Sequence, residues 1–225
     1  LKHSTEMQNE FLELGNRIPI LKIGIPPMFS TIFFPEVINA FELHHPDIQI
    51  ELDEFGSVRA CNLVQEEKLG LAIVNMEQFN IDKFESRVLA KEQLVYVVSK
   101  NHPMSGKKYM TIEDFKDEKL VMFNVDSVQN ELLKNRFDGL NISPHIIMRS
   151  SQLYTTLKFV DKGNCGCFLF SDMLPHFREY VGIPLKPSID VKIGIIWKKE
   201  KFLSHSAQLF IDFAMQYCSE KIITP

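Results

Sequence analysis

Three groupings of reactive side chains stand out in this sequence, and the spacing of each limits what it can do. His44 and His45 stand side by side before Pro46. A zinc site needs a third and a fourth ligand within reach, and none stands nearby at a workable spacing. The expected role is a helix C-terminus, whose negative end favours an imidazolium. Asp53 and Glu54 could pair for acid–base work, but consecutive strand residues point to opposite faces. A solvated strand end is expected instead. Cys165 and Cys167 could form a redox switch if their thiols were exposed and acidic. Only Lys162 is basic nearby, and Cys167 opens the apolar run CFLF, so buried structural thiols are expected. Thiol redox sensing through Cys165 and Cys167 stays open as an alternative. There is no G-x-S-x-G, no Walker loop, no H-E-x-x-H and no G-x-G-x-x-G. No catalytic residue, metal site or cofactor is assigned.

The turns from strand to helix have more promise. Pro26–Thr31 and Gly56-Ser57 each lead into a helix whose first N–H groups lack internal partners. In open α/β sheets, ligands lodge beyond the carboxyl ends of strands, where such helix starts converge. These starts favour carboxylate or phosphate. Asn75, Asn124 and Ser151-Gln152 occupy equivalent positions after or before other elements. Together these residues are expected to rim a cleft.

The elements that position them follow from periodicity. Ile20–Ile25 reads as a buried strand, and Phe33, Val37, Ala40, Phe41 and His44 fall at helical spacing over 30–44. Ile48, Ile50 and Leu52 alternate as a strand does. Ser57 is expected to N-cap a helix that carries Cys61, Val64 and Lys68 on one side. Leu71–Val74 and Leu94–Ser99 are further strands. This β-α-β-α-β order points to a largely parallel sheet covered by helices, with right-handed crossovers. A second series begins after Asn101-His102-Pro103. It has a capping box at Thr111 and Asp114, strands at 120–123, 145–148 and 167–170, and helices at 129–137 and 151–160. Val191–Trp197 is a strand, and Ala207, Phe210, Ile211, Ala214 and Cys218 mark a closing helix.

Composition agrees with an ordinary folded chain. The 225 residues are 45% hydrophobic and 24% charged, which excludes wholesale disorder. No apolar run approaches the roughly 18–20 residues that cross a bilayer. With 25 basic and 29 acidic residues the net charge is −4, so this stretch has no general attraction for a phosphate backbone. Four cysteines without a CxxC pair favour a reducing compartment. The polar opening LKHSTEMQNEFLEL does not read as a secretory signal. The expected location is the cytoplasm, with no membrane partner.

The order and spacing of several segments resemble the effector-binding domain of LysR-type transcriptional regulators. These are Leu21–Pro27 (LKIGIPP), Phe34–Ile38, Phe41 with Pro46-Asp47-Ile48, Glu54-Phe55-Gly56-Ser57, Leu69–Val74 (LGLAIV), Glu92–Val98 with His102-Pro103, and Ser150–Gly163. The resemblance implies an α/β, periplasmic-binding-protein-like (type II) fold of two Rossmann-like lobes joined by two crossover strands. Lobe I would comprise 20–99 and 198–225, lobe II 100–197, and residues 1–19 the tail of a linker helix. It implies effector contacts at Pro27, Met28, Phe29, Ser30, Ser57, Asn75, Asn124 and Ser151, and a small-molecule effector, a carboxylate or other anion, between the lobes. It further implies a homodimer or homotetramer that reaches promoter DNA only through an N-terminal winged helix-turn-helix not present in this stretch. Packing through the first helix and an edge strand is expected, because Phe33 and Phe34 cannot both face one core. Rival readings on the same scaffold are a transporter's solute-binding protein, which needs a signal or anchoring cysteine, and an enzyme, which needs an acid or base in the cleft.

Overall fold

The computed structural model describes residues 19–32, 34–77, 81–125 and 127–223. The linker tail assigned to 1–19, apart from Pro19, and Phe33 lie outside the described residues.

The first half builds three parallel strands. Strand β1 (Ile20–Ile25) pairs with β2 (Gln49–Glu54) on one side and β3 (Leu71–Asn75) on the other. All five residues of β3 are buried, as a strand covered on both faces requires. Between β1 and β2 the sequence suggests one helix. The structure has two, α1 (Pro27–Ile32) and α2 (Phe34–His44). Pro35 explains the division: without an N–H it suits a first helical turn, and it would interrupt a continuous helix. Helix α3 (Ser57–Gln65) then leads into β3.

Strand β4 (Phe84–Ser99) is 16 residues long and serves both lobes. Its residues 84–93 pair antiparallel with β9 (Asp190–Lys198), and 94–99 with β7 (Cys167–Phe170) and β8 (Tyr180–Pro184). Strand β9 also pairs antiparallel with β3. The sheet is therefore mixed rather than largely parallel. The two crossing strands run against each other because one leaves the first lobe and the other returns. The chain leaves the first sheet at Gln93-Leu94 and rejoins it from Asp190.

The second lobe adds a parallel pair, β5 (Lys119–Met122) and β6 (His145–Arg149), with helices α4 (Val128–Gly139) and α5 (Leu153–Lys162). A short 3-10 helix, Ile112–Phe115, opens as the capping-box pattern suggests: the Asp114 carboxylate accepts the Thr111 N–H at 2.8 Å. The core of this lobe is aromatic. Tyr96 is fully buried among Phe115 (ring centroids 4.9 Å) and Phe168 (5.4 Å), and its hydroxyl donates to Glu118 at 2.8 Å. Helix α6 (His205–Ile223) returns to the first lobe, where Phe210 packs on Phe34 and Phe41.

Candidate functional site

A cavity of about 230 Å³ opens where the carboxyl ends of β1, β2, β3, β5 and β7 face one another across the lobes. The first lobe lines it with Pro26 to Phe29, Glu54 to Ser57, Arg59 and Asn75. The second contributes Phe123, Asn124, Ser127 to Gln129, Ser151 and Phe170. The volume is below the ~300–1,000 Å³ of drug-sized ligand sites and suits a small metabolite.

The polar centre of the site is built around Asn75. Its backbone N–H donates to the Ser57 hydroxyl at 3.0 Å, and its side-chain Oδ1 accepts the Glu77 N–H at 3.1 Å. Both Ser57 and Asn75 are 3% exposed. The carboxamide is therefore held in one orientation, and its Nδ2 has no partner among the described residues. A buried donor left so is costly unless something fills the space before it. Beside it, the first internal bond of α3 runs from Ala60 N to Gly56 O at 3.0 Å, so Gly56 rather than the expected Ser57 is the N-cap; the Ser57 hydroxyl is turned to Asn75, and among the described residues no side chain caps this helix. The N–H groups of Ser57, Val58 and Arg59 precede that bond, so the positive end of the helix faces the cavity edge.

Seven of the eight residues suggested by sequence line this cavity: Pro27, Met28, Phe29, Ser57, Asn75, Asn124 and Ser151. Ser30 is not among the lining residues. Its hydroxyl lies 2.8 Å from the Pro27 carbonyl and also within bonding distance of the Glu54 carboxylate. The start of α1 offers little, since Pro27 has no N–H and the Phe29 and Ser30 N–H groups both reach the Pro26 carbonyl. Two contacts cross from lobe to lobe there. Phe29 stacks on Phe170 with centroids 5.1 Å apart and planes at 11°, and Gln129 Nε2 approaches Met28 Sδ at 3.5 Å. Asn124 follows β5, in a turn pinned by Arg149, which donates to the Phe123 carbonyl at 3.2 Å and to Asn130 Oδ1 at 2.5 Å.

Sequence reasoning missed Glu54, Arg59, Gln129 and Phe170. Glu54, expected as part of a solvated strand end, lines the cavity. Phe170 ends β7, and the strand-end rule that found Asn75 applies to it equally. Arg59 and Gln129 lie in the first turns of α3 and α4, so a rule extended one turn into each helix finds them.

The other groupings take bland roles. His44 Nδ1 lies 2.8 Å from the Ala40 carbonyl in the last turn of α2. No cluster of three metal-ligating side chains exists among the described residues. All four cysteines are buried. Burial pushes the Cys61 thiol up to about 12 and raises Cys165 and Cys167 as well, the opposite of what a redox switch needs. Among the described residues no helix is long and apolar enough to cross a membrane.

Two α/β lobes, two antiparallel crossing strands and a polar cavity at the strand ends between them define a type II periplasmic-binding-protein-like ligand-binding domain. Comparison with known proteins makes this specific. The model of the LysR substrate binding domain matches residues 17–219. The chain belongs to that family and is an effector-binding domain of the LysR type. The Bacillus subtilis (strain 168) protein named uncharacterized HTH-type transcriptional regulator YwbI is 27% identical over 201 residues, covering 88% of this chain and 66% of that protein. The chain thus spans about two thirds of that relative's length. The effector binding domain of QuiR in complex with shikimate superposes with a TM-score of 0.77 at 22% identity, covering 91% of this chain and 99% of that one. The Synechocystis PCC6803 CcmR regulatory domain in complex with 2-PG gives 0.80 at 18% identity, over 89% and 97%.

Proposed function

We propose that this domain senses a small polar metabolite in the cavity between its lobes and passes the change in lobe geometry to a DNA-binding domain in a longer regulator. Such a regulator works as a homodimer or homotetramer in the cytoplasm, with its DNA contacts outside this acidic stretch. The observation that carries the proposal is a cavity lined by both lobes in which the start of α3 stands beside Asn75, a buried residue whose Nδ2 has no partner among the described residues. A ligand there touches both halves at once. It shifts their arrangement only as far as it binds one arrangement better than the other, with a coupling of about 1–3 kcal/mol in typical cases. A sensing role without catalysis is supported by the lining itself. Among the described lining residues there is a single carboxylate, Glu54, which is exposed, and there is no histidine or cysteine.

A thermal-shift screen of small metabolites tests the proposal. A ligand present at 100 times its Kd stabilises by about 2.7 kcal/mol, or about 5–11 °C for a domain of this size. Ser57→Phe fills the cavity and is expected to abolish that response while the chain stays folded. An unchanged response in Ser57→Phe places the ligand elsewhere and contradicts the proposal.

A further inference from the structure

Two formal charges line the cavity, and they are not spent on each other. Among the described lining residues only Glu54 and Arg59 are charged at neutral pH. The Glu54 carboxylate takes the Ser30 hydroxyl, and a carboxylate has about four acceptor positions, so most of its capacity is open. The Arg59 guanidinium lies 4.7 Å from the centre of the Phe55 ring. Among the described residues no carboxylate pairs with it. A guanidinium stacked on a ring keeps its in-plane N–H groups available. These two charged residues flank the Gly56 turn, and Ser57 at the start of α3 and Asn75 line the same cavity.

Resting on the sensing role above, we propose that the ligand is a small zwitterion, an α-amino acid or a close analogue. Its carboxylate meets the N–H groups of α3, the Asn75 carboxamide and Arg59. Its ammonium meets Glu54. The remainder of the molecule lies toward the Phe29–Phe170 stack, which limits it to a short or apolar side chain. A plain dicarboxylate sets a second negative group against Glu54. A plain amine leaves the Asn75 donor and the helix start unfilled. The first mismatch sets like charges together and the second leaves a buried donor unfilled, and that is how such a site discriminates.

Calorimetric titration of the 225-residue chain with the proteinogenic α-amino acids tests this, each beside its des-amino acid and its decarboxylated amine. At least one amino acid is expected to bind about tenfold or more tighter than both analogues, a difference of about 1.4 kcal/mol. Glu54→Gln is expected to remove that preference by weakening the amino acid while the des-amino acid binds as well or better. Arg59→Gln is expected to weaken both carboxylates alike. Urea midpoints confirm that the variants are folded. If the des-amino acids bind the unmodified chain as tightly as the amino acids, or if only non-zwitterionic metabolites bind, the zwitterion is overturned. The sensing role then survives, provided that binding is lost in Ser57→Phe. If no amino acid binds at about 10 mM and no other metabolite does, both fail together.

Discussion

Replacing Ser57 with alanine takes one oxygen from the wall of the cavity, and its consequence can be worked from the geometry. The Asn75 N–H lies 3.0 Å from Ser57 Oγ, and both residues are 3% exposed. Without that oxygen a buried donor has no acceptor, which costs about 1–3 kcal/mol. At about 2–4 °C per kcal/mol for a domain of 150–250 residues, the Tm falls by about 2–12 °C. Ser127→Ala on the facing wall is the control. Among the described residues the Ser127 hydroxyl reaches Gln129 Oε1 alone, at 3.4 Å, and the residue is half-buried, so the change is expected to stay within about 0.5 kcal/mol. Urea unfolding of both variants separates the two cases, because a stability change moves the midpoint and leaves the slope unaltered. Equal midpoints for Ser57→Ala and Ser127→Ala refute the assignment of Ser57 as the group that fixes Asn75.

A Cβ on Gly166 would lie 2.4 Å from the Tyr96 ring, which its neighbours and Glu118 hold in place. Gly166→Ala is therefore expected to destabilise the chain by about 1–3 kcal/mol, read from the urea midpoint; an unchanged midpoint shows that the ring can move. Glu92 is raised from 4.5 to about 7, first by burial and then by the neighbouring Asp172 carboxylate. The folded protein thus holds this proton more tightly than the unfolded chain. The associated stability is full below about pH 4.5 and is lost as the pH rises through about 7. Tm measured against pH should fall more steeply over that window in the unaltered chain than in Glu92→Gln, and parallel curves contradict the assignment. The four buried thiols should resist a polar thiol reagent at pH 8 in the native chain and all react in denaturant; rapid native labelling of Cys165 or Cys167 would revive thiol sensing.

Much of the first lobe is legible in sequence because its strands and helices carry clean periods. Ser57 and Asn75 were reachable because a strand end is visible as a strand end. The long strand β4 was not. Its first ten residues include Glu85, Arg87, Lys91, Glu92 and Gln93, and only Leu94–Ser99 is apolar enough to announce a strand. Pairing with β9, not side-chain pattern, extends it back to Phe84. The cleft contacts of Gln129 and Phe170 depend on how one lobe sits against the other, which no local period encodes. Ser30 shows the reverse limit. It lies in α1, yet its hydroxyl is turned to Glu54 and the Pro27 carbonyl, and Glu54 is the one of the two that lines the cavity.

Ligand binding between the lobes is tested most directly by an amide NMR map of the chain titrated with the tightest ligand from the screen. Binding in the cavity predicts that the largest shifts fall on Met28, Phe29, Ser57 to Arg59 and Asn75 from one lobe and on Asn124, Gln129 and Phe170 from the other. Shifts confined to a single lobe, or clustered away from these residues, would contradict it.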